Sequence, residues 1–256
     1  MSSESPASAS VLAAPTCSDV TAAILAGGEG TRLRPLTTVF PKPLVPIADK
    51  PVIEILLRRL AAHRFRNVTL CTGYLAELIM AVCGNGSQYG LSIDYVREEN
   101  KLGTAGPLTL LQNPTDPLFV MNGDLLTTLD FGAMLDHHVR TGAAATIAVT
   151  TRTVKIDFGV IESARDGRFT RYIEKPTMDL HVSMGAYVLA RRVLEHLEPG
   201  RRMDMPDLIT RIAESGERVS CFNSDCYWID IGRMEDYGTA QEQFAKEPER
   251  FLNDMP

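Results

Sequence analysis

No apolar run approaches the roughly 18 residues that cross a membrane, no C-x-x-C pair occurs, and no basic stripe is present. Each absence removes a class of function. Cys17, Cys71, Cys83, Cys221 and Cys226 are odd in number and scattered, which disfavours a disulfide framework or structural zinc and predicts reduced thiols in the cytoplasm. A net charge of −6, from 26 Lys and Arg against 32 Asp and Glu, argues against nucleic acid as a partner. No repeat of 20 to 50 residues is visible, so solenoids and propellers are unsupported. The 45% hydrophobic content is that of a globular domain with enough apolar mass for a core.

Two phosphate-binding glycine motifs are missing as well. From Gly28 the chain reads Gly28-Glu29-Gly30-Thr31-Arg32-Leu33, so the third glycine of a dinucleotide fingerprint is replaced by leucine. No Gly-Lys pair followed by Ser or Thr exists, which excludes a P-loop. The D-x-D motif with which many glycosyltransferases hold a metal is also absent, because Asp124 is followed by Leu125 and Leu126.

What is present is concentrated between Leu25 and Ile47, LAGGEGTRLRPLTTVFPKPLVPI. Val20, Ala22, Ala23, Ile24 and Leu25 predict a buried strand, after which Gly27, Gly28 and Gly30 allow turn conformations that aim backbone N–H groups at an anion. Arg32 adds a planar, permanently charged fork suited to phosphate oxygens. Lys42, between Pro41 and Pro43, adds a second cation with limited travel.

Apolar runs at Val68 to Cys71, Leu118 to Met121, Ala144 to Val149 and Val182 to Leu189 have strand length. Helical spacing lies between the early ones: Ile53, Leu56, Leu57 and Leu60 share one face, and Leu75, Leu78, Ile79 and Val82 another. Alternating strand and helix predicts βαβ units and a doubly wound sheet, with ligands beyond the carboxyl ends of the strands. Asp124 falls at such an end, where Asn122-Gly123 breaks a strand, and is a candidate metal ligand. The second half reads strand after strand, with a hairpin around Asp166-Gly167 and a final helix from Glu235 to Phe244. His137 and His138 fall in an amphipathic helix with a solvated face rather than in a metal site. Thr104 is placed to cap a helix running to Leu111. Residues 1–18, rich in Ser, Ala and Pro with no basic start, predict a flexible tail rather than a signal peptide. One catalytic domain is expected over 19–247, with a C-terminal tail over 248–256.

The order GGxGTRLxPLT followed by PKPLxPI resembles the sugar-1-phosphate nucleotidyltransferases, also called nucleotide-sugar pyrophosphorylases. The resemblance continues at Leu102-Gly103-Thr104-Ala105-Gly106, Asn122-Gly123-Asp124, Glu174-Lys175-Pro176 and Trp228-Ile229-Asp230-Ile231-Gly232. It covers about residues 20 to 245. It implies a single-domain, Rossmann-like, doubly wound mixed α/β sheet of the nucleotide-diphospho-sugar transferase fold. The implied reaction transfers a nucleoside monophosphate from a nucleoside triphosphate to a sugar 1-phosphate, releasing pyrophosphate.

By the same resemblance, Arg32, Lys42 and Asp124 carry the chemistry, and Asp124 with Asp230 holds Mg²⁺. Leu25, Gly27, Gly28, Gly30, Thr31, Gly103 and Thr104 bind nucleotide, while Gly159, Glu174, Lys175 and Ser183 face the sugar phosphate. A homodimer is implied too. Ser183-Met184-Gly185 departs from the N-A-G or N-T-G of relatives, putting a hydroxyl where they have an amide. Leu102 to Gly106 and Thr72-Gly73-Tyr74-Leu75-Ala76-Glu77 resemble the mannose- and heptose-1-phosphate guanylyltransferase branch and point to GTP. The same reaction with dTTP, UTP or CTP, and a non-catalytic nucleotide-sugar-binding subunit, remain the alternatives.

Overall fold

A computed structural model describes residues 14–252. The expected tail over residues 1–13, and residues 253–256, lie outside the described residues. The apolar segment before the glycine loop forms β1 (Thr21–Ala26), and two short strands, β2 (Pro46–Ile47) and β3 (Lys50–Pro51), lead into α1 (Val52–Ala62). There follow β4 (Asn67–Thr72), α2 (Ala76–Cys83), β5 (Ser92–Arg97), β6 (Leu118–Asn122), β7 (Leu125–Thr127) and α3 (Phe131–Thr141). The second half holds β8 (Ala145–Lys155), β9 (Val160–Ser163), β10 (Phe169–Ile173), β11 (Thr177–Leu189), α4 (Met205–Glu214) and β12 (Val219–Asn223). The described residues end with β13 (Trp228–Asp230), α5 (Met234–Lys246) and α6 (Pro248–Leu252).

Seven strands form the central sheet in the order β12-β8-β11-β6-β1-β4-β5. β1 runs parallel to β4 and β6, β4 to β5, and β8 to β12, whereas β11 is antiparallel to both β6 and β8. The sheet is therefore mixed, with one reversed strand. The chain moves from β1 outward through β4 to β5 and then returns to place β6 on the other side of β1. That reversal opens a crevice at the carboxyl ends of β1 and β6, the position where open α/β sheets bind ligands.

Strand alternation assigns the two faces. Ala22, Ile24 and Ala26 of β1 join a core with Ile53, Leu56, Leu57 and Leu60 of α1, Ile79 and Cys83 of α2, and Phe131, Met134 and Leu135 of α3. Ala23, between them, faces the opposite core with Leu208 and Ile212 of α4. A strand buried on both faces reads as a continuous apolar run, as β1 does. A third core gathers Leu33, Ile47, Val52, Ile55, Leu126, Ile231, Phe244 and Phe251 beneath the crevice.

Four expectations need correction. Leu78 and Val82 are exposed, and the inward face of α2 is Ala76, Ile79 and Cys83. Residues 106–110 form a short 3-10 helix rather than a helix from Thr104 to Leu111, and the chain turns extended at Leu111. Cys17 is buried in the first core, so the N-terminal tail gives way to packed structure before residue 19. Residues 248–252 form α6, whose Phe251 stacks on Phe244, rather than a tail.

Candidate active site

Four of the charged residues expected in the site, Arg32, Lys42, Asp124 and Asp230, each stand next to an apolar one that is buried. Leu33 after Arg32, Leu125 after Asp124 and Ile231 after Asp230 are at most 1% exposed, and Pro41 and Pro43 on either side of Lys42 are buried. Full burial of a leucine or isoleucine side chain contributes about 1.5–3 kcal/mol. The anchors thus hold the backbone while the polar neighbour points into the crevice.

The cleft there has a volume of about 650 Å³, within the range of small-molecule sites. Leu25, Gly27, Gly28, Gly30, Thr31, Arg32, Lys42, Gly103, Thr104, Asp124 and Asp230 all line it. Gly159, Glu174, Lys175 and Ser183 do not. Those four belong to the strand-rich half, where β8 and β11 extend past the sheet as an exposed ribbon beside the β9–β10 hairpin. The Tyr172 ring fills the space that a Cβ on Gly159 would take. Ser183 opens the register shift in β11, with its hydroxyl 3.1 Å from that of Tyr187.

The glycine loop is fixed by its carbonyls. Gly27 accepts from the Tyr74 N–H at 3.2 Å, and Gly30 accepts from the Leu33 N–H at 2.9 Å and from the buried Thr37 hydroxyl at 2.7 Å. In a planar trans peptide the next N–H points the opposite way, so the amides of Gly28 and Thr31 are turned from these partners.

The loop from Leu102 to Gly106 is tied to the chain just before α4. Ala105 and Gly106 donate to the Met203 carbonyl at 2.9 and 3.1 Å, and Met203 donates to Leu102 at 2.9 Å. The Thr104 N–H meets Asp204 at 3.1 Å, while its hydroxyl accepts from Met205 N–H at 2.7 Å. Thr104 therefore caps α4 rather than its own segment.

Asp124 and Asp230 are joined through the antiparallel pair β7–β13, in which Asp230 lies opposite Leu125. The Lys42 ammonium bridges them, in contact with an Asp124 carboxylate oxygen and 3.3 Å from Asp230. Burial raises the Asp124 carboxyl above the usual carboxylate range; Lys42 opposes the shift and Asp230 adds to it. The Arg32 guanidinium approaches Gly232, the second residue after Asp230, so both cations and both carboxylates share one wall.

Several lining residues were not anticipated, Arg202 among them, and two of these stand against the glycine loop. Glu98, directly after β5, lies where a side chain on Gly27 would stand, and its carboxylate accepts the Leu102 N–H at 3.0 Å. Burial raises its pKa. Lys101 pairs with Glu29 of the glycine loop at 2.6 Å. The one available signal was position: both sit between the end of a strand and the recognised loop at Leu102.

The donor set suits a hard divalent cation. Two carboxylates already share one positive charge, and Mg²⁺ is usually held by one or two carboxylates completed by phosphates and water. No cluster of three or more acidic, His or Cys side chains able to hold a metal occurs among the described residues. The remaining ligands would come from outside the protein.

Sheet order and the cleft at the switch point together define a Rossmann-like α/β protein. Over residues 21–247 the chain matches the Nucleotidyl transferase family, and it belongs to that family. A UTP–glucose-1-phosphate uridylyltransferase from Synechocystis sp. is 34% identical over 239 residues, 86% of this chain and 62% of that protein. A mannose-1-phosphate guanylyltransferase from Mycobacterium tuberculosis is 34% identical over 225 residues, 85% of this chain and 62% of its own length. The chain thus spans less than two thirds of the length of these relatives. Among solved structures, HddC from Yersinia pseudotuberculosis has the same fold, with a TM-score of 0.68 at 24% identity, covering 88% of this chain and 99% of that one.

Proposed function

We propose that this chain is a sugar-1-phosphate nucleotidyltransferase that uses GTP. The observation that carries the reading is the Asp124–Lys42–Asp230 bridge beside Arg32 in the switch-point cleft. The substrates, a triphosphate and a sugar phosphate, are both anionic. Bringing them together requires positioning and fixed positive charge more than proton transfer, because the attacking phosphate oxygen is already ionised. That oxygen forms a bond to the α-phosphorus, the bond from the α-phosphorus to the bridging oxygen breaks, and pyrophosphate leaves with the electron pair.

Arg32 and Lys42 are the groups that face the phosphates, with the loop amides beneath them. Asp124 and Asp230 would hold Mg²⁺, which supplies Lewis-acid stabilisation of phosphoryl charge when bound. Glu174 and Lys175, with Gly159 and Ser183, are assigned to the sugar phosphate by resemblance alone.

Guanine is supported by two observations. Gly103 and Thr104, of the loop that resembles the guanylyltransferase branch, line the cleft, and the Glu98 carboxylate beside it is an acceptor for the N1–H and N2–H donors of a guanine edge. Family relatives of the same identity carry uridylyl- and guanylyltransferase names, so the base is decided by assay. A matrix of five nucleoside triphosphates against mannose-, heptose-, hexosamine- and glucose-type 1-phosphates, read by pyrophosphate release, is the test. GTP with a mannose-, heptose- or hexosamine-type phosphate is the expected pair. Release with UTP and glucose 1-phosphate alone would overturn the base and sugar assignment, and release with none would overturn the reaction. A cytoplasmic setting is part of the proposal and is supported by five free cysteines. Among the described residues no helix is long and apolar enough to cross a membrane.

A further inference from the structure

We propose that Lys42 is a built-in placeholder for the divalent ion, which makes ion binding conditional on the nucleotide. The inference rests on the reaction proposed above and concerns the order in which charges arrive. Its observation is that one ammonium spans the two carboxylates expected to hold the ion, with side-chain exposures of 13% for Lys42, 15% for Asp124 and 38% for Asp230.

The backbone of Lys42 has little freedom to carry that ammonium elsewhere. Pro41, Pro43, Leu44 and Val45 are buried, and the Lys42 Cβ stands only 3.0 Å from where a Cβ on Gly30 would lie. Movement must come from the side-chain torsions, and a lysine stem has four carbons with which to swing. From one anchored Cα, the ammonium is positioned to exchange the aspartates for phosphate oxygens in the same cleft.

Charge counting gives the coupling its sign. Two carboxylates and one ammonium leave one negative charge uncompensated, whereas a divalent ion neutralises both carboxylates. An ion arriving alone must push Lys42 off both aspartates with no phosphate to receive it, leaving an ammonium beside a dication at short range in a partly buried site, where repulsion is poorly screened. An ion arriving with a triphosphate meets no such obstacle. The displaced ammonium then pairs with phosphate oxygens, and one exchange of partners fills the metal site and arms the cation that the transferring group needs. The arrangement also keeps the two carboxylates from facing each other bare when no substrate is bound.

The test titrates Mn²⁺ alone, without nucleotide, into the full chain and its Lys42→Gln and Lys42→Met variants, with bound ion read by electron paramagnetic resonance. Both variants remove the charge, and a thermal melt identifies which is folded. The expected result is weak Mn²⁺ binding in the parent and a dissociation constant lower by about tenfold or more in the variants. The gain should vanish when Asp124→Asn is added to Lys42→Gln. Equal or weaker Mn²⁺ binding in the folded neutral variants would overturn the proposal, as would a gain that survives Asp124→Asn. The outcome is separable from the reaction itself: a parent protein that releases pyrophosphate while its neutral variants gain no Mn²⁺ affinity loses only the placeholder role. Conversely, a gain in affinity with no pyrophosphate release from any triphosphate would sink the reaction and keep the exchange of cations.

Discussion

The backbone N–H of Ile231 donates to the carbonyl oxygen of Asp124 at 3.1 Å. This bond extends the β7–β13 ladder by one step and holds two segments far apart in sequence so that their aspartates share Lys42. Because the contact is between backbones, it does not depend on either carboxylate. Substitutions of the side chains should therefore report on charge and not on the local fold.

Asp124→Asn is expected to lower kcat by about a thousandfold or more while nucleotide affinity measured without divalent ion stays within about threefold. The substitution keeps shape and removes the charge that would bind the ion. Steady-state pyrophosphate release and calorimetry measure the two halves. Turnover at the parent rate would contradict the assignment of Asp124.

Glu98→Gln tests the reading of the base. A charge-assisted acceptor replaced by a neutral amide should lower kcat/KM for GTP by about tenfold to a hundredfold and leave the KM for the sugar phosphate nearly unchanged. The loss would arise because an amide presents a donor where guanine also presents one. An unchanged preference among the five triphosphates would remove Glu98 from the base.

Gly103 has φ of +79°, and a Cβ there would lie 2.5 Å from the Met203 carbonyl oxygen and 2.7 Å from Asp204. Gly103→Ala is consequently strained in backbone and in contact, at a cost of about 1–3 kcal/mol. The loop that is laced to residues 203–205 should shift, raising the KM for nucleotide several-fold with little change for the sugar phosphate. A variant with the parent KM and melting temperature would show that the loop is not held as described.

His138 governs one part of the acid response. Burial pushes its imidazole down to about 4, with Asp116 opposing and Arg192 and His137 adding, and its Nδ1 meets the Thr146 hydroxyl at 2.9 Å. The folded state favours the neutral ring, so the stabilisation is fully present above the ordinary value of about 6.5 and is lost as pH falls from there toward about 4. His138→Gln should flatten that limb of a stability-versus-pH curve measured by denaturant unfolding. An acid limb of unchanged slope between those values would place the titration elsewhere.

Local patterns in the chain carried the frame of the site but not its walls. The expected strands fall inside β4, β6 and β11 and, apart from Ala144, inside β8, because each is a mostly apolar run of strand length. All four residues of the expected α1 face, Ile53, Leu56, Leu57 and Leu60, are buried. In α2 the phase was misread because nearly every residue from Ala76 to Cys83 is apolar, so no polar face marks the solvent side. Thr104 was legible as a cap, yet the helix it caps, α4, begins a hundred residues later in the chain. Glu98 was invisible for a related reason. A glutamate after a strand reads as solvated unless it is known that β5 ends beside β4 and that Gly27 vacates the space its carboxylate fills.

The central claim, that Asp124 and Asp230 grip one divalent ion while Lys42 turns to the phosphates, is tested most directly by anomalous diffraction from crystals grown with Mn²⁺ and a non-hydrolysable GTP analogue. A single anomalous peak touching both carboxylates and a phosphate oxygen, with the Lys42 ammonium on the triphosphate, is the expected result. A nucleotide bound in the cleft with Lys42 still bridging the two aspartates, and no peak between them, would contradict it.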